Sequence, residues 1–119
     1  MFNKVFLTAA LLAFTHPLIA SDCEQPGLPE VPNGAEASLD IMINGQKAVK
    51  AFQADAKTYR GCLEAVLDDL KSTAEEGDKD AAAAFKAATD DYNASVAAEE
   101  KLASDFNSAI QAYKAANPN

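Results

Sequence analysis

The sequence predicts an all-α protein, an antiparallel helical hairpin with an extended, proline-rich N-terminal arm packed on the first helix. Three observations carry that prediction. From Met42 to Leu70 apolar and small residues recur at alternating spacings of three and four, and no proline interrupts them. From Ala81 onward the chain is rich in alanine with charged residues between, the composition of a strong helix former. Between the two runs lies Gly77, suited to the left-handed residue that closes a helix. No segment shows the period-two alternation of a half-buried strand.

Residues 1–20 read as a secretory signal peptide. Lys4 provides a basic start, Val5 to Phe14 a short apolar run, and Ala20 a small residue ahead of the polar Ser21-Asp22. A membrane anchor is the competing reading, but the apolar run is well short of the roughly 20 residues that a bilayer requires, and Pro17 breaks it. Lipidation at Cys23 needs a small residue directly before the cysteine, and Asp22 stands there. Cleavage after Ala20 leaves 99 of the 119 residues, with 9 basic side chains against 18 acidic ones and a net charge of −9. The expected location is therefore periplasmic or secreted, with no integral membrane segment once the leader is removed.

Residues 21–37 form the arm. Pro26, Pro29 and Pro32 recur every third residue, the repeat of a polyproline II helix, and Cys23 falls on the same phase. Gln25, Leu28 and Val31 form a neighbouring edge. A stiff linker is one reading; Leu28, Val31 and a cysteine at its end favour docking. Asn33-Gly34 marks a turn.

Residues 38–119 form the hairpin. Ser38 is a candidate N-cap with Asp40 in the first turn. The first helix, about residues 38–75, carries the seam Met42, Gly45, Val49, Phe52, Ala56, Tyr59, Leu63, Val66 and Leu70. The second, about 79–116, is capped by Asp78 or Asp80 and carries Phe85, Tyr92, Glu99, Phe106 and Tyr113 at intervals of seven. Leu102 and Ala109 flank that row on one side, Val96, Ala103 and Ile110 on the other. Each helix spans roughly 55 Å. With Gly77 as the pivot, Tyr92 falls beside Cys62–Leu63, Phe106 beside Ala48–Val49, and Phe85 near Asp69–Leu70.

Cys23 and Cys62 are the two cysteines, and in an exported chain an even count implies a disulfide. The alternatives are an intermolecular bridge or free thiols. An intramolecular bridge has a geometric consequence. Cys62 lies about 36 Å along the helix from Ser38, and the 15 steps from Cys23 to Ser38 reach about 46 Å when extended. The arm must then run back along helix 1, on the edge of small or short side chains at Asn44, Ala48, Ala51, Asp55 and Thr58.

The run Cys-x-x-Pro-x-x-Pro-x-x-Pro-Asn-Gly from Cys23, then Ala37-Ser38, Met42, a Val49-x-x-Phe52 step and Tyr59-x-x-Cys62-Leu63 resembles small exported helical proteins of proteobacteria. The likeness covers about Cys23 to Leu63. It implies a bacterial periplasmic or secreted setting and carries no activity or site residue.

Composition narrows the chemistry. A strongly acidic chain lacks the basic patch that nucleic acid or anionic membrane requires. The only histidine, His16, leaves with the leader, so no catalytic residue and no enzymatic activity is expected. No cofactor and no metal site is expected either. The paired carboxylates Asp68-Asp69, Glu75-Glu76, Asp90-Asp91 and Glu99-Glu100 diverge by about 100° on a helix and read as solvated faces. Glu75 to Asp80 lacks the ligand spacing of a calcium loop, and turn capping explains it better. Asn93-Ala94-Ser95 fits a glycosylation pattern, which inside a helix reads as chance.

Glu99 interrupts the aromatic row of helix 2. It reads either as an edge residue that reaches water or pairs with Lys57, or as a polar residue that fixes register or meets a partner. The expected function is that of a non-enzymatic protein acting on a protein partner, or on itself as a homodimer, through an apolar helix face that includes Leu102, Val96 and Ile110, with Glu99 beside them. Ile41, Ile43 and Leu67 add apolar surface off the main seam of helix 1. The alternative is a small-ligand or metal carrier. One outcome tests the leader directly: N-terminal sequencing of the exported protein should begin at Ser21, and a sequence starting at Met1 would overturn the assignment.

Overall fold

The computed structural model describes residues 19–119; the leader predicted over 1–20 lies, through residue 18, outside the described residues. The chain is an all-α hairpin. Helix α1 runs over Leu39–Glu75 and helix α2 over Lys79–Ala116, packed antiparallel along their length. The described residues hold no strand, and a single 3-10 turn at Ala20–Asp22 leads into the arm.

Local chemistry sets the boundaries. The Ser38 hydroxyl accepts from the Ile41 N–H at 3.3 Å, satisfying one of the orphan donors at the start of α1. Of the two cap candidates for α2 it is Asp78 that serves, its carboxylate accepting from the Ala81 N–H at 2.9 Å. Gly77 takes φ +94° between the helices, a conformation that costs glycine little and other residues much.

The seam predicted on α1 is the buried face. Met42, Gly45, Val49, Phe52, Ala56, Tyr59, Leu63 and Val66 are all buried, and Leu70 is half-buried near the closed end. Helix α2 differs from its prediction in phase. Its buried line is Ala81, Ala88, Ser95, Leu102 and Ala109, again spaced by sevens, with Phe106 beside it. The aromatics Phe85, Tyr92 and Tyr113 are only half-buried and flank that line on one side. The reason is volume: α1 already fills the interface with Phe52, Tyr59 and Leu63, and small residues opposite let the helices approach. The facing levels hold for Tyr92, which joins the cluster that holds Cys62 and Leu63, and for Phe106, in the cluster of Val49. Phe85 sits somewhat farther along than expected, beside Lys71, Ala74 and Glu75.

Cys23 and Cys62 are bridged, with Cα atoms 5.6 Å apart. The arm runs back beside α1 as the reach of the chain demands, passing Thr58 and Asp55 at Pro26 and Ala48, Gly45 and Asn44 at Pro29–Asn33. The proline edge faces inward, since Pro26, Pro29 and Pro32 are all half-buried. Leu28 does not dock: it is 61% exposed although it shares its polyproline edge with Val31. Val31 does dock, against the cluster of Met42, Val49, Phe52, Ala56, Leu102, Phe106 and Ala109.

The arm also reaches α2, which the sequence reading did not anticipate. Pro29 and Val31 lie against Ala98, Leu102 and Asp105, and Gly34 is buried on the backbone of α2. A β-carbon on Gly34 would stand 1.8 Å from the Ala109 carbonyl oxygen, so no side chain fits there. The arm therefore fills the groove between the helices rather than lying on α1 alone. At the turn, the Asn33 side chain accepts from the Ala35 N–H at 3.2 Å and redirects the chain toward Ser38.

Two changes should read out this strap separately. Gly34→Ala should cost about 1–3 kcal/mol, since the arm must lift off a backbone carbonyl that cannot yield. Replacing Cys23 and Cys62 by serine should cost roughly 4 kcal/mol by opening a closed loop of about 40 residues. Denaturant melts followed by circular dichroism would measure both; an unchanged midpoint in either variant would contradict this packing.

Candidate functional site

The arm makes the two flanks of the hairpin unequal. It covers the flank that carries Ala98, Leu102 and Asp105 of α2, while among the described residues the opposite flank has no third layer. At the open end of the hairpin that uncovered flank forms an apolar groove between the first turns of α1 and the last turns of α2. Leu39, Met42, Ile43 and Gln46 line one wall, and Phe106, Ile110 and Tyr113 the other. Leu39 is 56% and Ile43 39% exposed, among the most exposed large apolar side chains of the chain. With Ser38 as its cap the helix starts at Leu39, which places Leu39 and Ile43, four apart, on one outward stripe.

The four residues predicted as an interaction face do not form one. Leu102 is 4% exposed, buried in the core beside Val31, because the arm takes the flank on which the sequence reading left it free. Ile110 is half-buried and lies on the other side, in the groove. Val96 is half-buried on α2, two turns or more from the groove. Glu99 is committed within the hairpin. Leu39 and Tyr113 were missed. The signal for Leu39 was present in the spacing of Leu39, Ile43 and Gln46, which runs beside the main seam; Tyr113 had been assigned to the seam itself.

Glu99 pairs with Arg60, not Lys57. The guanidinium of Arg60 donates to Glu99 Oε2 at 3.0 Å and to Ser95 Oγ at 3.2 Å, and the two charged side chains are 15% and 25% exposed. Lys57 is exposed and stands outside that pair. Arg60 lies about a turn beyond the positions level with Glu99, and its long side chain spans that turn. This polar group separates two apolar clusters, one around Phe52, Leu102 and Phe106, the other around Cys23, Tyr59, Leu63, Val66 and Ala88. Ser95, part of the Asn93-Ala94-Ser95 pattern, is buried there as a hydrogen-bond acceptor. Nearby, burial raises the Tyr59 phenol above its ordinary pKa, and the Asp91 carboxylate adds to the rise.

The other carboxylates are solvated or structural. Asp68, Asp69, Glu75, Glu76, Asp90, Asp91 and Glu100 are exposed, and Asp78 uses an oxygen as a helix cap. Among the described residues no group of three or more His, Cys, Asp or Glu side chains converges in a way that would hold a metal ion. No family model matches the chain, and neither a curated protein nor a solved structure is similar to it.

The Arg60–Glu99 pair can be tested by a double-mutant cycle. Arg60→Met or Glu99→Leu alone should destabilise by about 1 kcal/mol or more, because each leaves a half-buried charge unpaired. The double variant should recover most of that loss, with a coupling of about 0.5–1 kcal/mol after allowance for solvent screening. Strictly additive losses in denaturant melts would show that the pair contributes nothing.

Proposed function

We propose that this chain is an exported, non-enzymatic interaction protein that binds another protein, or a second copy of itself, through the apolar groove at the open end of the hairpin. The observation that carries this reading is the groove itself. Exposed Leu39 and Ile43 stand over Met42, Phe106, Ile110 and Tyr113, with one polar side chain, Gln46, in the lining. A contiguous apolar surface bordered by polar residues is the usual mark of a protein contact.

Supporting features agree with it. The Cys23–Cys62 bridge suits an oxidising compartment, as the basic and apolar start of the chain and its resemblance to exported proteobacterial proteins suggest. No helix among the described residues is long and apolar enough to cross a membrane. From residue 21 onward there is no histidine, and both thiols are bridged, which removes the common bases and nucleophiles. The groove holds about 190 Å³, below the roughly 300–1,000 Å³ of small-molecule sites, which favours a partner side chain over a carried ligand.

A photoreactive side chain placed at Leu39 in the exporting cells should give a cross-linked product of defined mass. The same probe at exposed Ala65, on the far side of α1, should give none. Adding Ile43→Glu to the Leu39 probe should weaken capture by about tenfold or more, since a buried isoleucine contributes about 1.5–3 kcal/mol. A Leu39 probe that captures nothing would overturn the reading.

A further inference from the structure

We infer that the occupant of the groove is a second copy of this chain, docked about a two-fold axis parallel to the helices so that α1 of each copy lies over α2 of the other. This rests on the reading of the groove as an interaction site and names its partner.

The groove is the end of a longer surface. On α1 the stripe of Leu39, Ile43 and Gln46 continues at spacings of four and three through Lys50, Gln53 and Lys57. On α2 the matching stripe runs from Ile110 back through Asn107, Ala103, Glu100 and Val96 with the same spacings. Two such rows on one flank are the pattern that antiparallel pairs use to build four-helix bundles. The flank from Leu39 to Arg60 is about 32 Å long, and two helices side by side are about 18–20 Å wide. That is about 600 Å² in flat projection, close to the roughly 800 Å² of accessible surface that each partner of a stable complex buries.

Charge selects the partner. The chain has 18 acidic residues against 10 basic ones, yet over the length from Leu39 to Arg60 the exposed charges on this flank of α1 are the lysines Lys50 and Lys57, with Glu64 a turn beyond. Both are exposed, and neither forms an ion pair among the described residues. Glu100, on the matching stripe of α2, is likewise exposed and outside those ion pairs, while Lys114 continues the stripe four residues past Ile110 at the open end. Within the hairpin, the bonds from Arg60 to Ser95 and from Tyr92 to Glu64 show which residues stand level. By that relation Glu100 is level with position 55, about 7 Å along the axis from Lys50 and about 3 Å from Lys57.

A two-fold axis parallel to the helices keeps level residues level. Each copy's Lys50 and Lys57 then come opposite the other copy's Glu100, and groove meets groove with Ile43 over Ile110. An axis across the helices, with the hairpins overlapped along their full length, would instead bring each groove to the other copy's closed end, where Lys71 and Glu75 are exposed and offer no apolar match. Unlike charges around an apolar contact fix both the partner and the register.

The test uses the disulfide-bonded protein recovered from the cells that export it. Sedimentation equilibrium should give twice the chain mass at tens of micromolar, with dissociation favoured by added salt. The variant K50E/K57E and the variant E100K should each dimerise at least tenfold more weakly, with helical circular dichroism unchanged. Mixing the two variants should restore the dimer, because every reversed contact then meets its opposite. A monomer at all concentrations, a dimer indifferent to salt and to both reversals, or variants that fail to recover on mixing would each overturn the inference. If the protein is monomeric but the Leu39 probe still captures a heavier product that Ile43→Glu removes, the groove reading survives and the second copy does not. With neither dimer nor product, both fall.

Discussion

A pair of antiparallel helices shares a single line of contact, so each helix keeps a flank on either side of that line which its partner cannot cover. In this protein one of those flanks is closed by fifteen residues of arm, Cys23 to Ala37, pinned at the far end by the bridge to Cys62. The bridge removes chain entropy from the unfolded state, and the arm it holds adds Val31 and Pro32 to a core that two helices alone would leave thin. Gly34 on the Ala109 carbonyl and Gly45 beneath Pro32 mark where the fit is closest. At both positions a side chain would hold the arm away from the seam.

The core beneath the arm is not continuous. Arg60, Ser95 and Glu99 divide it into an open-end cluster and a closed-end cluster. A half-buried ion pair adds little net stability against an apolar replacement, but sliding one helix by a turn would leave both charges without partners. The pair therefore acts mainly on register. That matters in an alanine-rich helix, where buried alanines at 81, 88 and 109 offer little shape to resist slippage.

Closing one flank and leaving the other open gives the molecule a sidedness that neither helix has by itself. The arm's flank is used up on the fold; the open flank carries the groove and the unpaired lysines. Interaction through that flank needs no chemistry beyond apolar contact and a few charges, which agrees with a chain whose remaining carboxylates face water. The sidedness depends on the bridge, since an arm released from Cys62 would expose Leu102 and Ala109 as a second apolar surface.

By itself the sequence determined the two helices, their ends at Ser38 and Gly77, the buried face of α1, and, once Cys23 is bridged to Cys62, the return of the arm along α1. These are local or one-dimensional matters: a repeat of three and four, a cap, a backbone angle, and the reach of 15 steps of chain against a helix of known rise. Tertiary structure decided the phase of α2, the crossing of the arm onto α2, the pairing of Glu99 with Arg60, and the exposure of Leu28. It also decided which apolar residues remain outside, burying Leu102 and leaving Leu39 and Ile43 exposed. Each of these turns on which of several equivalent flanks a third element covers. Periodicity states that a residue lies on a flank; only packing volume and side-chain reach state what lies against it.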